Sequence, residues 1–326
     1  MVRGGTRQER TVAASDEPGY SIENSLPVWD MSARVILDVV LALVTTFFGV
    51  NYARSAKAGH PKPTGLGVLV GFVTNFFDTL GIGSFATTTT AFRLWRMVRD
   101  EWIPGTLNVG HSLPTVTQAF IFTAIVPVDA TTLVAMIAAA VAGGWLGAGV
   151  VAGMPRRAIQ IAMGTALLVA ATLMLLTQLG VFPKGGDTLS LSPPLLLIGV
   201  VVNFVLGALV TLGIGLYAPC MILVSLLGMN PTAAFPIMMG SCAFLMPIAS
   251  TRFISKGSFD LPAAVALTLG GIPAVLVAAY VVKSLPLTAV RWLVIVVVLY
   301  AATGLLRAGL RRVVTAKVEP AAGLIT

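Results

Sequence analysis

The chain has 326 residues, of which 56% are hydrophobic and only 10% are charged, and its mean hydropathy is +0.92. A soluble globular domain carries about a quarter charged residues, so the composition excludes that class. The formal net charge of +8 comes from Lys and Arg in predicted loops and tails. It therefore indicates membrane topology and not binding to nucleic acid.

Long uncharged stretches identify the class of protein. Residues 195–227 contain no Asp, Glu, Lys or Arg, and this run is longer than the ~20 apolar residues that cross a bilayer. The sequence predicts about ten such membrane segments in a single bundle. The two cysteines, Cys220 and Cys242, lie in apolar segments, so neither a disulfide framework nor a cysteine metal site is predicted. No cofactor, metal ion or catalytic residue is predicted either.

The chain divides into six predicted units. They are a retained polar tail at 1–32, an extra N-terminal transmembrane helix with a basic loop at 33–64, a first repeat at 65–181, a Pro/Gly/Ser-rich linker at 182–194, a second repeat at 195–312 and a C-terminal tail at 313–326. Each repeat has a broken apolar stretch followed by three long segments. The order of segments is therefore the same in both halves.

Short matches support this duplication. The pentapeptide TLGIG occurs at 79–83 and again at 211–215, an offset of 211 − 79 = 132 residues. GFVTNF in the first half matches GVVVNF in the second at an offset of 128, and two AAT triplets are 131 residues apart. Because the matches keep the same order, they indicate an internal repeat.

The distribution of Lys and Arg predicts the orientation of the repeats. If each broken stretch enters and leaves on one side of the membrane, one side receives Arg54, Lys57, Lys62, Arg93, Arg96, Arg99, Arg156, Arg157, Arg252, Lys256, Arg307, Arg311, Arg312 and Lys317. That side is predicted to be cytoplasmic. The N-terminus then lies outside, the C-terminus lies in the cytoplasm, and the two repeats are inverted.

The predicted fold is an all-α polytopic membrane protein with two inverted-topology repeats. Each repeat is a broken or re-entrant helix hairpin plus three transmembrane helices, and one extra helix precedes them. This architecture is typical of secondary transporters, whose sites lie near the midplane where discontinuous helices meet.

The glycines of TLGIG predict where each hairpin breaks, because glycine weakens a helix. Unpaired N–H and C=O groups cost several kcal/mol in lipid, so such a break must lie against protein or a water-filled cavity. The N-termini of half-helices and neutral side chains could hold an anion there. The candidate substrate-binding residues are Asn75, Thr79, Gly81, Gly83, Thr87, Asn203, Thr211, Gly213, Gly215, Tyr217, Cys220 and Ser241.

Close helix packing by small residues is the alternative role for the break glycines. It is the favoured interpretation for a second set, spaced as GxxxG within one uninterrupted segment: Gly143, Gly147, Gly149 and Gly153.

Two titratable residues are candidates for proton coupling. Asp78 adjoins the first break, and the corresponding residue of the second half is Val210. A carboxylate at membrane depth is costly and usually functional, so Asp78 could carry a proton; alternatively, it caps the next half-helix. His111 could also titrate, and a hydrogen-bonded interfacial histidine is the alternative.

Three features resemble the TauE/SafE family of membrane anion transporters, often described as sulfite exporters. They are GIGLYAPCMILVSLLGMNPTAAFPIMMGSCAFLMP at 213–247, GGIPAVLVAAYVVKSLPL at 270–287 and the paired Gly-rich breaks. The resemblance covers about 65 to 310, although GIGSFATTTTAF in the first half lacks the Pro that follows the second break. It implies movement of sulfite, a sulfonate or another sulfur-containing organic acid anion across the bacterial cytoplasmic (inner) membrane, generally outward.

The expected partners are a small anion and membrane lipid, with no nucleic acid, and a homo-oligomer is left open. An importer of the same anions and an anion channel are alternatives. A third alternative is an intramembrane hydrolase that would use Ser84 and His111. The repeat disfavours the hydrolase because Leu216 matches Ser84, so the protein is expected not to be an enzyme.

Overall fold

The chain folds into α-helices joined by short loops. The structure is a computed structural model that describes residues 31–182, 185–280 and 287–310. Within these ranges there is no β-strand, only an isolated bridge between Thr188 and Met229. The all-α class predicted from the composition is confirmed. The C-terminal tail and all but the last two residues of the N-terminal tail lie outside the described residues.

Eleven α-helices occupy the described ranges. They are α1 (Met31–Gly59), α2 (Gly65–Thr79), α3 (Ser84–Leu94), α4 (Ile103–Ile125), α5 (Ala130–Val151), α6 (Arg156–Gln178), α7 (Pro193–Val210), α8 (Tyr217–Leu226), α9 (Ala234–Lys256), α10 (Leu261–Tyr280) and α11 (Leu287–Leu310). Short 3₁₀ turns, Asp100–Trp102 and Pro231–Ala233, precede α4 and α9.

Six helical spans are long and apolar enough to cross a bilayer, as in a multi-pass membrane protein. They are Arg34–Gly59, Ala130–Val151, Arg156–Gln178, Pro193–Val210, Pro231–Lys256 and Leu261–Tyr280. Helix α4 is not among them, although it has 23 residues. Its buried polar side chains lower its hydropathy, and they lie in the centre of the bundle.

Helix α1 extends further than the sequence predicts. The basic loop expected after the first segment is helical up to Gly59, including Arg54 and Lys57. Lys and Arg favour helix, so the helix continues beyond the apolar segment. Its end contacts the start of α10, where a Cβ on Gly59 would lie 2.5 Å from the side chain of Leu261.

Helices α4 and α9 pack against each other at the centre of the bundle, and each contains an internal proline, Pro114 or Pro247. Around this pair, α2 packs on α10 and α7 packs on α5. Helices α6 and α11 pack together, with α3 against α11 and α8 against α6. Each broken helix pair is therefore held mainly by helices from the other half of the chain, while α1 lies outside and packs mainly on α9.

Glycines allow the closest of these contacts. A Cβ on Gly143 would lie 1.9 Å from the carbonyl oxygen of Phe204, and one on Gly207 would lie 2.1 Å from that of Ala140. The backbones of α5 and α7 therefore touch. The packing role predicted for Gly143 is confirmed. Gly149 differs, because a Cβ there would meet nothing within 4 Å.

Replacing Gly143 with Ala should force α5 and α7 apart. Overpacking of this kind costs about 1–3 kcal/mol, so we expect a lower melting temperature in detergent for Gly143→Ala. The matched control is Gly149→Ala in the same helix, where the free space and the better helix propensity of Ala predict no loss. Equal melting temperatures for the two variants would contradict the close backbone approach.

The two ends of the bundle differ in charge. At one end, α1, α3, α5, α9 and α11 finish while α2, α4, α6 and α10 begin, as contacts such as Lys256 Nζ to Gly149 O (3.2 Å) and Arg157 Nε to Gly309 O (2.9 Å) demonstrate. We call this the basic end. The described Lys and Arg at this end are Arg54, Lys57, Lys62, Arg93, Arg96, Arg99, Arg156, Arg157, Arg252, Lys256 and Arg307. The opposite end has Arg34 near the start of α1 and Arg291 near the start of α11 among the described residues.

Candidate functional site

The first TLGIG ends α2 with a glycine-dependent cap. The N–H of Gly81 donates to the carbonyl of Asp78 (2.9 Å), and the N–H of Ile82 donates to that of Phe77 (3.0 Å). Gly81 has φ +88°, which favours glycine. Gly83, with φ +89°, then redirects the chain into α3. The break predicted from the sequence is therefore present.

The second TLGIG ends α7 in the same way. The N–H of Gly213 donates to the carbonyl of Val210 (2.9 Å), and Ile214 donates to Leu209 (3.4 Å), with Gly213 at φ +90°. Helix α8 then starts at Tyr217 and has Pro219 in its first turn, where a missing N–H costs least. The recurrence of the pentapeptide thus reflects one type of helix cap used twice.

Asp78 caps the start of α3. Its Oδ1 accepts the backbone N–H of Ser84, and its Oδ2 accepts a hydrogen bond from Gln118 Nε2 at 2.9 Å. The carboxylate is 2% exposed. The capping contact is confirmed, and proton coupling by Asp78 stays a prediction.

Gln118 on α4 connects the two broken helix pairs. Its Nε2 donates to Asp78 Oδ2 and to Thr79 Oγ1, both at 2.9 Å. Its Oε1 accepts a hydrogen bond from the Tyr217 hydroxyl at 2.6 Å. One buried amide therefore bridges the end of α2 and the start of α8.

A closed cavity lies between the two breaks. It is bordered by Asp78, Gly83, Ser84, Phe85, Thr115, Val210, Gly215, Leu216, Tyr217, Cys242 and Met246. Its volume is about 10 Å³, which is room for about one water molecule. The chain is therefore closed around this point, and a larger ligand requires the two breaks to separate.

A second cavity of about 360 Å³ approaches the same breaks from the end opposite to the basic end. It reaches Gly81 and Ile82 at the first break, and it is bordered by α6 and by α8 from Ala218 to Ser225. At the first break, Gly81 and Ile82 border the larger cavity and Gly83 borders the closed one. At the start of α8, Leu216 and Tyr217 border the closed cavity and Ala218 borders the larger one. Only the first turn of α8 and the first break separate the two spaces.

His111 belongs to a hydrogen-bonded network beside the closed cavity and does not border it. Asn75 Nδ2 donates to the carbonyl of Gly71 (2.7 Å), so Asn75 Oδ1 accepts from His111 Nδ1–H (3.0 Å). The other ring nitrogen then accepts a hydrogen bond from the Thr88 hydroxyl at 3.0 Å. Both nitrogens of the buried imidazole are thus satisfied by neutral partners, and neither is bonded to Ser84.

The second half has a matching polar contact. Asn203 Nδ2 donates to the carbonyl of Met136 (2.7 Å) and to Ser241 Oγ (3.1 Å). Asn203 follows Asn75 by 128 residues, and Ser241 follows His111 by 130. Asn203 Oδ1 is buried without a hydrogen-bond partner among the described residues. An amide on the first helix of each half therefore contacts a polar residue on its central helix.

The structure brings together only part of the predicted site. Four predicted residues border the closed cavity: Asp78, Gly83, Gly215 and Tyr217. Gly81 borders the larger cavity. Neither cavity is bordered by Asn75, Thr79, Thr87, His111, Asn203, Thr211, Gly213, Cys220 or Ser241. Thr211, for example, donates to Ala208 O (2.7 Å) and lies against Gly147 on α5.

Helix α4 contributes more polar residues to the site than the sequence predicts. His111, Thr115 and Gln118 are spaced i, i+4 and i+7, so they form a polar stripe along one face of α4. That spacing was the available signal for Thr115, which borders the closed cavity. The sequence makes Gln118 and Cys242 candidates to line a cavity, with hydrogen bonding between helices as the alternative, and of these two only Cys242 borders the closed cavity. Ser84, which borders it as well, carries no comparable pattern.

A cluster of charged residues joins the helices at the basic end. Asp100 accepts hydrogen bonds from Arg93 Nη1 on α3 and from Gln160 Nε2 on α6, both at 2.7 Å. Arg156 on α6 lies 3.7 Å from Asp100 and 3.5 Å from Glu101. The carboxylate of Asp100 is 13% exposed. At the other end, the residue 132 positions after Arg93 is Ser225, beside the larger cavity.

Fold and site together define a multi-pass α-helical membrane protein with an enclosed polar centre. Comparisons with models of protein families, with curated proteins and with solved structures found no match to this chain.

Proposed function

We propose that this protein is a secondary transporter that moves a sulfur-containing anion, such as sulfite or a sulfonate, across the bacterial cytoplasmic membrane by alternating access. The observation that carries the proposal is the closed interior cavity where both broken helix pairs meet, next to the buried carboxylate of Asp78. Buried ionisable groups beside discontinuous helices are typical of transporter sites. The choice of a sulfur-containing anion rests on the resemblance to the TauE/SafE family.

Inverted repeats are part of the proposal, and the helix contacts support them. In the first half, α2 packs on α10 and α3 packs on α11, both of the second half. In the second half, α7 packs on α5 and α8 packs on α6, both of the first half. The accumulation of Lys and Arg at the basic end supports placing that end in the cytoplasm. The larger cavity then lies on the outer side of the breaks, and the closed cavity lies between them.

The chemistry of the site supports an anion that is accompanied by a proton. The described residues that border the closed cavity include no Lys or Arg, and the Tyr217 hydroxyl already donates its proton to Gln118, so an anion would be held by backbone N–H groups. The N–H groups of Leu216, Tyr217 and Ala218 at the start of α8 donate to no acceptor among the described residues. At the start of α3, by contrast, the N–H of Ser84 already donates to the carboxylate of Asp78. A proton on Asp78 would remove its repulsion of the substrate.

Counterflow in proteoliposomes tests the function. Purified protein is reconstituted with labelled sulfite inside, and exchange is measured against sulfite, sulfate, taurine, sulfoacetate and chloride. We expect saturable exchange that is restricted to sulfite or sulfonates. Flux that neither saturates nor supports counterflow would indicate a channel. No exchange with any of these anions would contradict the substrate class.

Two further measurements test the direction of transport and the absence of enzymatic cleavage. Reconstitution of known orientation with substrate on one side only distinguishes an exporter from an importer. For the hydrolase alternative, substrate recovered intact after transport, with unchanged flux in Ser84→Ala, would exclude cleavage. The engagement of both nitrogens of His111 by Asn75 and Thr88 supports transport over hydrolysis.

Opening at the basic end requires the Asp100 cluster to separate. Replacing Asp100 with Asn weakens its charge-assisted hydrogen bonds to Arg93 and Gln160, each worth about 1.5–3 kcal/mol. We therefore expect amide hydrogen exchange in α3 to become about ten- to a hundredfold faster. The control is Asp129→Asn at the opposite end, where the carboxylate bonds only Thr132 one turn away. Equal exchange rates in α3 for Asp100→Asn and wild type would exclude a gating role.

A further inference from the structure

An apolar groove runs along the outside of the bundle between α1 and α5, with α9 at its base. Its volume is about 520 Å³, and every side chain that borders it is apolar, apart from the indole N–H of Trp145. On α5 it extends from Val134 to Trp145, which is about 17 Å of helix. One leaflet of the hydrocarbon core is about 15 Å thick. The groove is thus long enough for one acyl chain, and it crosses the middle of α5.

The groove ends at a pair of cations. Arg252 lies one turn beyond Ile248 on α9, and its guanidinium carbon is 4.7 Å from the centroid of the Trp145 ring. Lys256 follows one turn later and bonds the carbonyl of Gly149 at 3.2 Å. Among the described residues, no carboxylate lies within 4 Å of Arg252 or Lys256. A half-exposed Trp beside cations is typical of the membrane interface, where lipid headgroups lie.

We propose that this groove binds an anionic phospholipid, with an acyl chain between α1 and α5 and the phosphate at Arg252 and Lys256. The apolar walls match the chain, and the two cations, which have no carboxylate partner among the described residues, match a headgroup of net negative charge. A zwitterionic headgroup carries its own ammonium group and gains less from the same cations. The site is separate from the cavities beside Asp78, so it does not depend on the proposed transport function.

Lipid binding to delipidated protein tests this inference. Native mass spectrometry and melting temperature are measured with phosphatidylglycerol and with phosphatidylcholine of identical acyl chains. We expect wild type to bind phosphatidylglycerol about tenfold more tightly and to show a larger rise in melting temperature. Arg252→Gln should reduce the preference for phosphatidylglycerol over phosphatidylcholine, because only Lys256 then remains at the headgroup. Ala138→Phe, at an exposed position inside the groove, should weaken binding of both lipids.

The matched control is Arg307→Gln, which removes an exposed Arg from the same end of the bundle on α11, a helix that packs on α6 and α3. It should bind both lipids as wild type does. Equal affinity of wild type for the two lipids would overturn the proposal, and so would unchanged selectivity in Arg252→Gln. A stable dimer that forms on lipid removal and is blocked by Ala138→Phe would also overturn it, by identifying the groove as a protein interface.

Discussion

Asp78→Asn should transport substrate without responding to a pH gradient. In wild type, coupling of one proton to one anion lets a gradient of one pH unit support up to about a tenfold concentration ratio. Asn cannot carry the proton, so the ratio should fall to about one. The substitution is compatible with the structure, because Asn Oδ1 can still accept the Ser84 N–H. If the Gln118 amide turns over, its oxygen can accept from the new NH₂ group.

The measurement is uptake of labelled sulfite into proteoliposomes with and without an imposed gradient. Asp38→Asn is the control, since Asp38 lies on the peripheral helix α1 and pairs with Arg34 at 3.7 Å; it should couple as wild type does. Gradient-driven accumulation that persists in Asp78→Asn would restrict Asp78 to its capping role. Loss of all exchange in both variants would instead indicate damage to the protein.

Gly213→Ala should abolish most transport while the protein still inserts into the membrane. A non-glycine residue at φ +90° costs about 1–3 kcal/mol, which lowers the population of the native break about tenfold to a hundredfold. The new Cβ would also lie 2.9 Å from Met163 Cε on α6. Counterflow rate and melting temperature should both fall.

Gly81→Ala provides a graded comparison. Its φ of +88° predicts the same backbone strain, but its Cβ would meet only Phe235 at 3.6 Å, which is ordinary contact. We therefore expect a smaller loss than in Gly213→Ala, and none in Gly149→Ala. Normal flux in both break variants would remove the breaks from the transport mechanism. Equal losses at the two positions would show that Met163 adds nothing to the strain.

The sequence was sufficient to predict the helical class and most helix ends. Local signals explain this success: runs without charge mark the apolar spans, and the glycines of TLGIG weaken a helix, so the ends of α2 and α7 at the two breaks could be predicted. The sequence predicts too early an end for α1, because charged residues after an apolar segment are typical of a loop. Lys and Arg do not stop a helix, and here it continues to Gly59.

The predicted site was less complete, for a physical reason. Gln118 contacts Asp78 from 40 residues away and Tyr217 from 99 residues away, and no local pattern encodes such distances. Threonines were assigned to the site by their position near a break. In the structure Thr87 and Thr211 donate to carbonyls of their own helices, a common outcome for a hydroxyl with no closer acceptor in an apolar bundle. The predicted and observed site residues therefore differ because tertiary packing determines which way each side chain points.

The two ends of the bundle are held by different kinds of contact, and this difference has a kinetic consequence. The basic end is held by Arg93, Asp100 and Gln160, whereas the opposite end has a cavity bordered mainly by apolar side chains. Ion pairs weaken as salt rises, while apolar contacts are little affected or strengthened. In the proposed cycle, added salt should therefore speed opening at the basic end relative to opening at the other. In that cycle, ionic strength on the basic side would determine in which direction the carrier transports its substrate faster.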